Sequence, residues 1–368
     1  MCVQENREGP AAGLASPARF RARPMGRGDQ RAKIRYPGGL TRRIMSKLAY
    51  SFTIILTGLS LGYVIQILVE LAVVRLPVSI DRLRKSLQRI ALLFVNPVAI
   101  VGAVWVVEIE SVRLAALPFN GLFAILLGGV LALGAARLLH LEPKKTGAMY
   151  SCGSFTNTGS IGALVCFVFL GERGFALVPV YKLFEELSYY SIGFPIAKHY
   201  SGSQKPERIL DRVKGLSRDP FVLVALSSIA LGGVLNFAGI QRPDFLGSVV
   251  SLFVPLGTVM LLVSIGLALK FRRVQSYLKE CVSVSLIKFV LVPVSAVSLA
   301  YLFGLGRVDD GLPLKVVMIL SSMPVAFTAL IPPSIYDLDL DLANSCWFFT
   351  TSLLVGVLPL LLVITSLI

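Results

Sequence analysis

The 368-residue chain is 55% hydrophobic, only 15% charged, and carries a net charge of +15. So much apolar surface excludes a soluble globular domain. Repeated runs of about twenty apolar residues indicate an all-α polytopic membrane protein embedded in the lipid bilayer. The spans use up the length and leave no room for a separate soluble catalytic domain.

Residues 1–44 stand apart. They hold ten Lys and Arg against Glu5, Glu8 and Asp29, with recurrent Gly and Pro and no hydrophobic periodicity. This composition reads as a disordered basic tail. Met45 directly precedes the first apolar run, and the functional protein is expected to begin there.

Ten transmembrane helices are predicted from there on. The first five cover 50–73, 90–107, 117–139, 148–170 and 175–196. The second five cover 221–238, 246–269, 282–303, 316–335 and 342–367. The polar stretch 198–219 separates them as a linker, giving a first repeat at 45–197 and a second at 220–368. The loops after spans one, three, five and seven carry eighteen Lys and Arg, against five in the intervening loops. By the positive-inside rule the linker is cytoplasmic and both ends face outward. Anionic lipid headgroups account for this basic surplus, so it is no sign of nucleic-acid binding.

Five spans per half force the halves into opposite orientations, the signature of an inverted repeat. Both halves are interrupted at corresponding places. Span four contains Gly153-Ser154-Phe155-Thr156-Asn157-Thr158-Gly159-Ser160-Ile161-Gly162. Glycine weakens a helix, and Ser, Thr and Asn offer its backbone competing hydrogen bonds. In hydrocarbon such a stretch survives as a broken helix only where protein or a water-filled cavity surrounds it. The alternative is an intact helix whose small residues admit a close neighbour. Span nine carries Pro324, Pro332 and Pro333, which remove backbone donors and are expected to kink or unwind it. Matched interruptions point to a transporter's binding site.

Asn157-Thr158-Gly159-Ser160-Ile161-Gly162, followed by Phe169-Leu170-Gly171, resembles the fourth-helix motif of the auxin efflux carrier family of permeases. Met323-Pro324, Ile331-Pro332, Asp337 and Ala343 resemble its ninth-helix motif. Lys288-Phe289-Val290-Leu291-Val292-Pro293 and Ser264-Ile265-Gly266 are also similar. The resemblance spans 47–368. It implies a ten-helix inverted repeat in which helices four and nine unwind and cross at mid-membrane, with one sub-bundle moving against the other. The family is similar in fold to bile acid–sodium symporters and sodium–proton antiporters. Ala163-Leu164 stands where the family commonly has proline, and a short linker replaces the long central loop of plant auxin carriers. Both departures favour a small prokaryote-type permease over an auxin carrier.

Asn157 is the leading candidate for substrate binding. Its amide can donate to a carboxylate, and the break is expected to free backbone N–H groups beside it. The alternative is a hydrogen bond that only holds the crossover together. Thr156, Thr158 and Gly159 accompany it, with Pro324, Ala326 and Thr328 across the crossover. Lys182, Glu185 and Glu186 sit near the middle of span five, where charges are costly and must face protein or water. One glutamate can pair with Lys182 at i+3 or i+4, and the other becomes a proton-coupling candidate. A purely structural ion pair is the competing reading. Lys288 can supply a counter-charge to an anion or snorkel to the cytoplasmic surface. Tyr181, Tyr189 and Tyr190 line the cavity or pack.

Five cysteines without C-x-x-C spacing and two histidines, His140 and His199, offer neither metal ligands nor a catalytic constellation. No cofactor and no enzymatic activity are expected. The sequence therefore reads as a secondary transporter that moves a small organic anion across the cytoplasmic membrane by alternating access. A cation-coupled carrier resembling the bile acid symporters, or a membrane-embedded sensor with the same fold, is the alternative. A homodimer is compatible with the sequence.

Overall fold

Within hydrocarbon every backbone N–H and C=O must find its partner inside the chain, so apolar runs of this length fold as helices. The computed structural model describes residues 37–73, 77–106, 112–202, 220–268 and 274–368. The basic tail up to residue 36 and the linker from 203 to 219 lie outside the described residues.

Helix α1 runs Pro37–Glu70. Helix α2 (Ile80–Ile90) passes through a π-helical turn, Ala91–Val95, into α3 (Asn96–Val104). Helix α4 (Ala116–Leu138) is followed by α5 (Pro143–Ser154), a π turn at Thr158–Gly162 and α6 (Ala163–Tyr181). The short α7 (Glu185–Ser188), a π turn at Tyr189–Gly193 and α8 (Phe194–His199) complete the first half. The second half holds α9 (Pro220–Phe237), α10 (Phe245–Gly266) and α11 (Leu278–Leu286). A π turn at Ile287–Leu291 leads to α12 (Val292–Leu302). Then come α13 (Leu312–Ser321), α14 (Ile331–Ile335) and α15 (Leu340–Leu367).

Among the described residues, seven stretches are long and apolar enough to cross a membrane: Met45–Glu70, Ile80–Val104, Arg113–Leu138, Thr158–His199, Phe245–Gly266, Gln275–Leu302 and Leu340–Leu367. Leu223–Phe237 is a shorter apolar helix. Among the described residues the only extended pairing is a single bridge between Thr156 and Val325. Large apolar side chains such as Leu56, Phe94, Val130, Val234, Leu252, Val294 and Val355 point outward, as a lipid-facing surface requires. The protein is an all-helical polytopic membrane protein.

Prolines shape these helices in two ways. Pro97, Pro195 and Pro293 each follow a π turn by two residues. A proline ring collides with the carbonyl four residues back and donates no hydrogen bond, and the wider turn makes room for it. Pro332 and Pro333 behave otherwise than expected. They occupy the first turn of α14, where the missing N–H groups have no helical partner to lose, so they start a helix rather than break one.

Other boundaries also differ. Helix α1 begins well upstream of residue 50. Arg82, Arg84 and Lys85 lie on α2, not in a loop; the Ser79 side chain accepts from the Arg82 N–H and caps that helix. The expected loop between spans four and five is one bend inside α6, at Gly171 with φ +76°. Only glycine adopts that conformation without strain. Span five is not one helix either: the chain turns at 182–184, just after Pro179.

Helix α3 packs against both α9 and α10, and α1 meets α10 at Gly62 and Gly266. Helices α4, α5, α12, α13 and α15 form the other group, with α6 packed against both α3 and α13. The tightest approach in this second group is Gly153 of α5 on α4. A Cβ there would stand 2.3 Å from the Ala132 Cβ. Small residues thus serve close packing here, while a few positions further on the same segment unwinds.

Candidate functional site

Helix α5 ends at Ser154 and α13 at Ser321, and the extended residues beyond them meet. The Asn157 N–H donates to the Pro324 carbonyl at 2.9 Å, and the Ala326 N–H donates to the Phe155 carbonyl at 3.0 Å. Side chains complete the pairing. The Thr156 N–H donates to the Tyr189 hydroxyl at 3.1 Å, and the Val325 N–H to Thr350 Oγ1 at 3.2 Å. Pro324 has no N–H to satisfy. The crossing therefore costs the backbone no unpaired donor, which makes two broken helices tolerable in an apolar bundle. Within these extended segments no N–H is left for a ligand.

The polar atoms left at the crossing belong to side chains. Lys288 is 1% exposed, and its Nζ donates to Thr156 Oγ1 at 2.7 Å. It does not snorkel; the π turn that carries it aims it into the crossover. Beside it, Thr158 Oγ1 donates to Glu185 Oε2 at 2.5 Å, and Glu185 Oε1 pairs with Lys182 Nζ at 3.0 Å. Lys182 also approaches Gly159, where a Cβ would stand 2.5 Å from Nζ. Thr156, Thr158, Gly159, Lys182, Glu185 and Lys288 thus form one polar cluster. A cavity of about 10 Å³ opens among Thr156, Thr158, Tyr181, Glu185, Leu320 and Ser321. That is room for roughly one water molecule.

Asn157 is placed differently. Its Oδ1 accepts from Ser160 Oγ at 2.5 Å and from the Ile161 N–H at 3.3 Å, capping the π turn. Its Nδ2 is buried without a partner. One end of the amide is structural, and the other is an unspent donor. Across the crossing, Pro324 and Ala326 contribute backbone atoms, while Thr328 is half-buried in the turn that leads to α14. Glu186 is half-buried, so of the two glutamates it is Glu185 that enters the cluster. Tyr181 lines the cavity, and Tyr189 stacks on Phe155 with ring centroids 4.0 Å apart.

The sequence reading missed Ser321, Thr350 and the structural use of Tyr189. Ser321 ends α13 at the cavity, and Thr350 lies in an otherwise apolar helix. The visible signal was position: a hydroxyl in a span opposite a proline break.

No family model matches the chain. It is 24% identical over 301 residues to an uncharacterized transporter of Methanothermobacter thermautotrophicus, an alignment covering 82% of this chain and 92% of that protein. It is 25% identical over 237 residues to an uncharacterized transporter of Methanocaldococcus jannaschii, covering 64% and 71% respectively. Together with the seven membrane-length helices, these relatives support a membrane transporter.

Proposed function

We propose that the protein is a secondary transporter of the auxin efflux carrier type. In this reading it moves a small organic anion across the cytoplasmic membrane by alternating access. Ten crossings accommodate the described helices. The bend at Gly171 divides the fourth from the fifth, α9 is the sixth, and α13 with α14 forms an interrupted ninth. Five crossings on each side of the linker make the halves inverted repeats, and the two interrupted spans meet as such a repeat demands.

The observation that carries the anion is Lys288. A lysine enclosed at the crossing of two broken helices, beside hydroxyls, can supply positive charge to an anion that enters there. The Asn157 Nδ2 adds an unspent donor nearby in the chain. The cation-coupled alternative needs a carboxylate free to hold the ion, but both oxygens of Glu185 are engaged.

Uptake of radiolabelled pyruvate, succinate, malate and citrate into proteoliposomes tests the reading. Saturable uptake of at least one, strongly reduced by Thr156→Val in protein that stays monodisperse, is expected. Equal uptake in empty and protein-containing vesicles for all four would overturn it.

A further inference from the structure

We propose that Lys288 carries the coupling proton: its amine is neutral in the empty site, takes up a proton as the anion binds, and releases it as the anion leaves. This rests on the anion reading above and adds the co-transported ion.

The argument begins with what surrounds the amine. Nζ has the Thr156 hydroxyl at 2.7 Å, and among the described residues no carboxylate stands within ion-pair distance of it. The titratable groups facing it are Cys152 of α5 and Glu185 of α7. Cys152 is fully buried, and its thiol leans on the Ala343 carbonyl at 3.9 Å. Glu185 already shares its charge with the Lys182 ammonium and the Thr158 hydroxyl, leaving little for Lys288. Helix α4, packed on the same π turn, has Arg137 in its last turn as its only charged residue. Helix α12 has none, and the charged residues of α11, Lys279 and Glu280, lie in its first turn, two helical turns away.

An ammonium enclosed with one neutral hydroxyl is strongly unfavourable, because burial removes its water and nothing replaces the lost stabilisation. The neutral amine fits the empty site: it keeps its hydrogen bond with Thr156 and carries no charge. A carboxylate entering the cavity reverses the balance by supplying the missing counter-charge. Protonation of Lys288 and anion binding therefore favour each other, and by linkage each strengthens the other equally. The proton comes from water on the loading side, onto the nitrogen lone pair. On the other side the N–H bond breaks, and the proton returns to water as the anion departs. One proton crosses with each anion, so a monocarboxylate moves with no net charge and a di- or tricarboxylate carries its remaining negative charge across. The Lys182–Glu185 pair stays fixed through the cycle.

Two measurements test this on the full chain. The first needs no substrate: thermal unfolding of wild type and Lys288→Met between about pH 6 and pH 9. A lysine neutral when folded but charged when unfolded makes wild type gain stability relative to the variant as pH rises. A difference independent of pH would overturn the proposal. The second is uptake of radiolabelled pyruvate, succinate, malate and citrate with and without an inward proton gradient. Wild type is expected to respond several-fold. Lys288→Arg, whose guanidinium stays charged, is expected to lose that response in whatever uptake remains. A gradient response surviving in Lys288→Arg would overturn the proton assignment alone. Uptake of none of the four by wild type would overturn the anion reading and the coupling with it.

Discussion

Two hydroxyls hold the crossing open as a structure. Tyr189 and Thr350 accept the two backbone N–H groups that the bridge leaves over. A buried donor stripped of its acceptor costs about 1–3 kcal/mol. Tyr189→Phe and Thr350→Val, each close in shape to the original, are therefore expected to lower thermal stability by about that amount. Melting in detergent checks it, and unchanged transitions would mean the N–H groups find other partners. At this scale the sequence was only partly readable. A lysine in the middle of an apolar span announces itself, but whether it points inward depends on the π turn before Pro293, which has no signature of its own beyond that proline. Asn157 was legible as special, yet its carbonyl end is taken by a cap four residues long in reach, a role that composition alone does not reveal.

Among elements, α5 depends on its contact with α4. Gly153→Ala places a methyl 2.3 Å from the Ala132 Cβ. The helices must separate, at a cost of about 1–3 kcal/mol for such overpacking. A lowered melting temperature and poorer monodispersity on size exclusion are expected, whereas Gly134→Ala, with open space around it, is the neutral control. The two broken spans are also tied at one end, where Lys144 at the start of α5 pairs with Asp337 beyond α14 at 2.5 Å. The hydrogen bond from Lys144, and then its charge, hold the Asp337 carboxyl below the usual carboxylate range. A lowered folded value means the pair's contribution is fully present above about pH 3.9 and is lost as pH falls through the folded value. The melting difference between wild type and Lys144→Met should therefore shrink on acidification. A difference that grows instead would contradict the pairing. Breaks of this kind divide into legible and illegible ones. Pro324 marked the ninth-span break, although Pro255 and Pro359 sit inside unbroken helices. Pro332 and Pro333 misled, because proline ends one helix and begins the next with equal ease. The turn at 182–184 carried only Pro179 as a hint.

For the whole molecule, composition and apolar run length were enough to read a polytopic helical membrane protein, since hydrocarbon admits only helices and closed barrels and these runs are about twice a barrel strand. Span counting was harder where helices break or join: the chain passes from Thr158 to His199 as one apolar stretch, bent at Gly171 and turned again at 182–184. The proposed ten-crossing inverted repeat would explain why the two interruptions meet. On the proposed reading, the crossing would be the fixed point about which access alternates, one helix group rocking against the other.

That claim has a direct test at Ser321, which lines the cavity where α13 ends. In a background with the native cysteines replaced, Ser321→Cys is treated with a membrane-impermeant thiol reagent applied from either side of the membrane. The account predicts labelling from both sides, slowed by a transported carboxylate. Labelling from one side only, indifferent to any carboxylate, would contradict alternating access and leave the crossing as a binding module without transport.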